Sequence, residues 1–126
     1  MRRWVGRWLM GVSALHCLLG LFLFAAPLRD IVAAGLWNSL GTRDPLRYAA
    51  FWFLFGGVVM ALAGYLADWI ERVPKMTLPR ALGWTLLAIA VVGVTLAPVS
   101  GFWLILPAAL GTLAQSRPAG SSAPAN

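Results

Sequence analysis

The 126-residue chain is 60% hydrophobic and 11% charged, with a mean hydropathy of +0.79, a formal net charge of +6 and a pI near 11.2. So few charges would leave a soluble fold unable to cover its apolar surface, which excludes an ordinary soluble enzyme or binding module and makes lipid the expected covering. Nor does the basic excess indicate a nucleic-acid partner, because Lys and Arg flank apolar runs instead of forming one dense patch with interleaved aromatics.

Arg2, Arg3 and Arg7 precede the first uncharged run, Trp8–Ala26, whose 19 residues approach the roughly 20 that a helix needs to cross a bilayer. The run reads as an uncleaved anchor and not a signal peptide. Leu23 and Phe24 occupy the place of a small-x-small cleavage site, Pro27 follows directly, and Ala14-Leu15-His16-Cys17 lacks the small residue before cysteine that lipoprotein acylation wants. Leu28, Ile31, Val32, Leu36 and Leu40 then recur at helical spacing, with Arg29, Asp30, Asn38 and Ser39 on other faces. This predicts an interfacial helix over 28–40 lying on the outer bilayer surface, a lid over a binding site being the sharper alternative. Gly41-Thr42-Arg43 breaks the pattern. Asp44-Pro45 opens the next helix, since the carboxylate accepts from free backbone N–H groups and Pro has none to lose at the first helical position.

The second run is Ala49–Ala67, and a turn over Glu71–Thr77 containing Pro74 leads to Pro79 and the third run, Ala81–Ala97. Pro98, Ser100 and Gly101 supply a tight turn into Val99–Ala114, whose 16 residues must stand nearly upright, thin the bilayer, or stop short as a re-entrant segment. The expected fold is all-α: an integral membrane four-helix bundle over residues 1–115 with a short outer interfacial helix, and a disordered cytoplasmic tail over 116–126. No long-period repeat marks a duplicated transporter.

Four spans put both termini and the middle loop on one side, which holds Arg2, Arg3, Arg7, Arg72, Lys75, Arg80 and Arg117 against Arg29, Arg43 and Arg47 on the other. Both termini are expected in the cytoplasm, the chain being multi-pass in a bacterial inner membrane. Tryptophans fall into two belts, Trp4, Trp8, Trp69 and Trp84 toward the cytoplasm and Trp37, Trp52 and Trp103 toward the outside, with none mid-membrane.

Close helix contacts in lipid favour small residues. Ala50, Gly57, Ala61, Gly64 and Asp68 form one stripe on the second span, opposite Trp52, Phe55, Val59, Leu62 and Leu66. Gly6, Ser13, Cys17 and Gly20 align on the first, opposite Trp4, Leu15, Leu18 and Phe22; Gly83, Ala90, Gly93 and Ala97 align on the third. These stripes are read as packing faces, with a homodimer seam as an alternative use.

His16 lies near the middle of the first span, where an ionisable group is costly enough to suggest a role. It either carries a proton or contacts a ligand, or it ties two spans together as a neutral imidazole, with the Trp103 carbonyl freed by Pro107 as the expected acceptor. Ser13 and Cys17 share its face. Asp68 sits at the cytoplasmic end of its helix, roughly 12 Å in depth from His16; an ion pair with Arg72, Arg7 or Arg80 is expected there in place of a His-Asp relay. One histidine, one cysteine and four acids complete no catalytic set, no zinc site, no bis-histidine haem and no thiol pair, so no cofactor or metal is expected.

Gly11 to His16, Ala50-Phe51-Trp52-Phe53, Leu78-Pro79-Arg80-Ala81-Leu82-Gly83-Trp84, and Pro98-Val99-Ser100-Gly101-Phe102-Trp103-Leu104 with Pro107 resemble a family of small bacterial four-pass membrane proteins whose domain has no known function. That resemblance covers nearly all but the tail and implies a bacterial cytoplasmic membrane and a helical fold, with no catalytic residues to carry over. A more distant likeness to DoxX-like four-helix membrane proteins rests on size and span layout. The expected function is a non-enzymatic accessory or structural component acting on other membrane proteins, with lipid, another membrane protein or a second copy as partner. The alternative is a small homo-oligomeric proton-coupled transporter using His16, similar in length and span count to small multidrug-resistance exporters but lacking their first-span glutamate. An enzyme acting on lipid or quinone ranks third.

Overall fold

The computed structural model describes residues 3–40 and 44–116. The break at Gly41-Thr42-Arg43 and the tail beyond Ser116 lie outside the described residues. Within them the fold is entirely helical: α1 (Val5–Leu23), α2 (Ala25–Ala33), α3 (Pro45–Arg72), α4 (Arg80–Leu96), a 3-10 turn (Gly101–Leu104) and α5 (Ile105–Gln115). Helices α1 and α3 are long and apolar enough to cross a membrane, whereas α4 and α5 are shorter apolar helices. With 28 residues, α3 is about 42 Å long and outreaches a hydrocarbon core of about 30 Å.

Proline and glycine set the helix boundaries. Pro27 cannot bond to the Leu23 carbonyl and crowds it, so the first helix stops there and α2 starts after a break at Phe24. The predicted 28–40 helix is instead confined to Ala25–Ala33. Gly35, at φ +83°, is the reason: its N–H reaches Val32 O and the Leu36 N–H reaches Ile31 O, closing a Schellman cap. Leu36 and Asn38 also have positive φ, and the chain runs on in turns to Leu40. Asp44 Oδ1 accepts from Leu46 N at 2.9 Å, with Pro45 in the first turn, as the sequence predicts. In the fourth segment Pro107 removes a regular helical bond, and the chain enters as a 3-10 turn capped by Ser100 before becoming α-helical at Ile105.

The helices pack as a row rather than a closed bundle. Antiparallel α1 and α3 form the main pair, α5 lies against the first half of α1, and α4 packs on α5, without extensive contact between α3 and α4. Notches left by glycines choose the neighbours: a Cβ on Gly64 would stand 2.9 Å from Met10 N, one on Gly20 2.8 Å from Phe53 and Leu54, and one on Gly83 2.7 Å from Leu113. The Phe102 ring likewise occupies the space beside Gly93, and Asp68 backbone that beside Gly6. Ala61, half-buried, continues the α3 stripe between Gly57 and Gly64.

The buried core gathers where the helices converge, from Val5 and Leu9 of α1, Ala67 of α3, Leu86 and Ala90 of α4, and Ala108 of α5. Arg3, Arg7, Arg72, Lys75 and Arg80 surround this region, which is the basic end; Gly20, Phe53 and α2 mark the far end. Trp4 does not face outward as expected. It is half-buried, fills the space beside Gly111 and packs against the core.

Candidate functional site

The predicted polar residues all lie on the α1–α3 seam, but at two levels. At the upper level Ser13 Oγ donates to Gly57 O at 2.6 Å, and His16 Nε2 lies 2.9 Å from Phe53 O. A carbonyl can only accept, so Nε2 carries the hydrogen, and Nδ1 makes no bond to another described residue. The imidazole stacks on the Phe53 ring at 3.9 Å and 9°, and Phe24 packs at 5.4 Å from that same ring. Cys17 is a half-buried free thiol over Gly57, where an added Cβ would come within 2.5 Å of its sulfur. Small residues therefore bring α3 close enough for its already helical carbonyls to accept second bonds from α1.

The expected partner of His16 is not the one it has. Its bond goes to Phe53 of α3 instead of Trp103. The tightened turn before α5 points the Ile105 N–H at the Phe102 and Trp103 carbonyls, and the next carbonyl, Leu104 O, accepts from Trp8 Nε1 at 2.7 Å. That bond also moves Trp103 out of the predicted outer belt. Leu104 is held within a side-chain length of Trp8, whereas Trp52 belongs with Phe53 at the level of Gly20, about 18 Å further along α1. The Trp103 indole donates to Pro98 O at 2.9 Å within its own hairpin turn.

At the lower level Asp68, its side chain 6% exposed, receives Arg72 through Nε at 2.8 Å and through Nη2, and has Arg7 Nε 3.6 Å from Oδ1. Of the cations expected there, Arg7 and Arg72 pair with Asp68 and Arg80 does not. Asp68 adjoins Gly6 and His16 adjoins Gly57, so ten residues of α1, about 15 Å, separate the two levels. They are separate sites.

Glu71 is the residue that sequence reasoning missed. Its carboxylate accepts from Val5 N at 3.3 Å and Gly6 N at 3.1 Å, capping a helix whose own N-cap residue, Trp4, offers no side-chain acceptor. The signal was present: Glu71 is three residues beyond Asp68 and so on the same face of α3, which runs antiparallel to α1 and ends beside its start. Arg47 was also passed over. Its Nη1 donates to Ser39 O at 3.2 Å and its Nε lies 3.4 Å from Asp44, joining the 34–40 turns to the start of α3. Among the described residues no three His, Cys, Asp or Glu side chains are grouped to share a metal ion.

No curated protein and no solved structure matches the chain, and nothing supports the likeness to DoxX-like proteins. Residues 1–119 do match a family described only as of unknown function, DUF6463, and the chain belongs to that family.

Proposed function

We propose that the chain is a multi-pass protein of a bacterial cytoplasmic membrane, a non-enzymatic accessory or structural component acting through other membrane proteins. Both termini and the basic end face the cytoplasm. Only 28% of the apolar window of α1 and 17% of that of α3 is buried, whereas a core helix of a soluble protein is mostly buried. Leu113 of α5 packs at Gly83 near the start of α4, so the two ends of the final hairpin return to one side whether or not its turn reaches the opposite surface. The basic excess on that side orients it.

One observation carries the functional reading: most of the polar groups along the seam are engaged in holding α1 and α3 together. Ser13 and His16 bond to α3 carbonyls, Asp68 holds two arginines, and Glu71 holds the start of α1. Polar groups spent on assembly leave function to the outer faces, which carry Trp52, Phe55, Val59 and Leu62 of α3 toward lipid or a neighbouring protein. Copurification of a stoichiometric membrane partner in mild detergent, with no solute flux from proteoliposomes, is the expected result. The second reading, a homo-oligomeric proton-coupled transporter, draws on the unbonded Nδ1 of His16. It requires a pH-dependent flux that His16→Ala abolishes while the protein stays folded.

A further inference from the structure

The basic end holds more cations than its carboxylates use. Asp68 is engaged by Arg7 and Arg72, and Glu71 by the first N–H groups of α1, while Arg3, Lys75 and Arg80 form no ion pair among the described residues. Arg3 and Lys75 line a hollow of about 170 Å³ whose walls include Thr77, the apolar Pro74 and Met76, and Glu71. Glu71 also lines the hollow, but its single negative charge is partly offset by the positive N-terminus of α1, which both its oxygens face, and it is outnumbered by the two cations.

The turn that presents Lys75 is unusual. Met76 N bonds to Val73 O at 3.2 Å, Pro74 takes the second place, and Lys75 takes the third with φ +67°, where glycine is the residue without steric penalty. A lysine thus occupies a strained position on the rim of a cationic hollow. Trp69 and Trp84, both more than half exposed, flank the α3–α4 connection on the adjoining turns of the two helices. Indoles settle at the headgroup boundary, which puts the hollow in the layer where lipid phosphates lie.

We propose that this hollow binds the phosphate of an anionic phospholipid, with Arg3 and Lys75 as its cations and Thr77 as a neutral donor. The site rests on the membrane reading above and adds to it a specific headgroup chemistry. Native mass spectrometry of the full chain in neutral detergent, with phosphatidylglycerol and phosphatidylcholine added in competition, tests it. The expected result is a preference for phosphatidylglycerol that drops about fivefold in Arg3→Gln and again in Lys75→Gly, as a contribution of one surface cation predicts. Arg29→Gln, at the far end, keeps the preference. Lys75→Gly relieves the strained φ and melts no lower than the parent, so its loss of preference is not unfolding. Displacement of the lipid by millimolar inorganic phosphate would instead identify a free-anion site and overturn the lipid assignment. An alkali-resistant membrane protein with the same preference in all variants overturns the site but leaves the membrane reading standing. Extraction by alkali overturns both.

Discussion

The basic end and the far end of the molecule are held by different forces. At the basic end α1 meets both α3 and α5, and apolar burial, the Glu71 cap and the Asp68 ion pairs act together. At the far end α5 has been left behind, and α1 keeps only α3 and the short α2 for company. There, glycine-enabled contact and two side-chain bonds to backbone carbonyls hold the pair. On the proposed membrane reading, apolar side chains gain little by turning inward, so such a seam would depend on close contact and polar links, each worth roughly 0.6 kcal/mol. The same two helices are thus locked at one end and merely fitted at the other.

Substitutions should separate these regimes. The largest effect is expected at Gly6, where any Cβ meets the Asp68 backbone: Gly6→Ala should cost about 3 kcal/mol, while Gly11→Ala, facing open space, should be neutral or slightly stabilising. Thermal unfolding in detergent reads both, and equal melting temperatures would break the seam description. Glu71→Ala comes next, at about 1–2 kcal/mol, with faster hydrogen exchange at the Val5 and Gly6 amides as its signature. Unchanged exchange there would mean that the carboxylate does not cap α1.

Smaller changes are expected at the far end. His16→Ala should destabilise by about 1 kcal/mol, through its carbonyl bond and its stacking on Phe53, and Ser13→Ala by about 0.6 kcal/mol. Both effects should be insensitive to salt. Arg72→Gln should cost least, about 0.5 kcal/mol, because its side chain is 59% exposed, and the difference should vanish in 1 M salt, where screening is about 3 Å. A salt-independent loss would place that ion pair in a far less solvated setting than its exposure indicates.

Much of this was legible from local chemistry. The Asp44-Pro45 helix start, the inward stripe of α3 and the outward Trp52, Phe55, Val59, Leu62 and Leu66 depend on capping geometry and on a period of 3.6 residues. Gly35 is an equally local signal, since a Schellman cap there explains why the helix expected to Leu40 stops at Ala33. Pro27 and Pro107 signalled breaks whose consequences depended on how the neighbouring helices responded.

A helical chain, its apolar segments, the charge difference between its ends and the faces along which α1 and α3 meet all follow from composition, capping or periodicity within one segment. Packing between segments is what makes the helices form a row, brings Glu71 to cap a helix 65 residues away, gives His16 its bond to Phe53, and lets Trp8 reach Leu104. Those outcomes depend on the relative depth of antiparallel helices. A shift of one turn, about 5 Å, would exchange every partner without altering the amphipathic pattern of either helix, so depth is recorded in the interlocking of glycines with opposing side chains and not in any one segment.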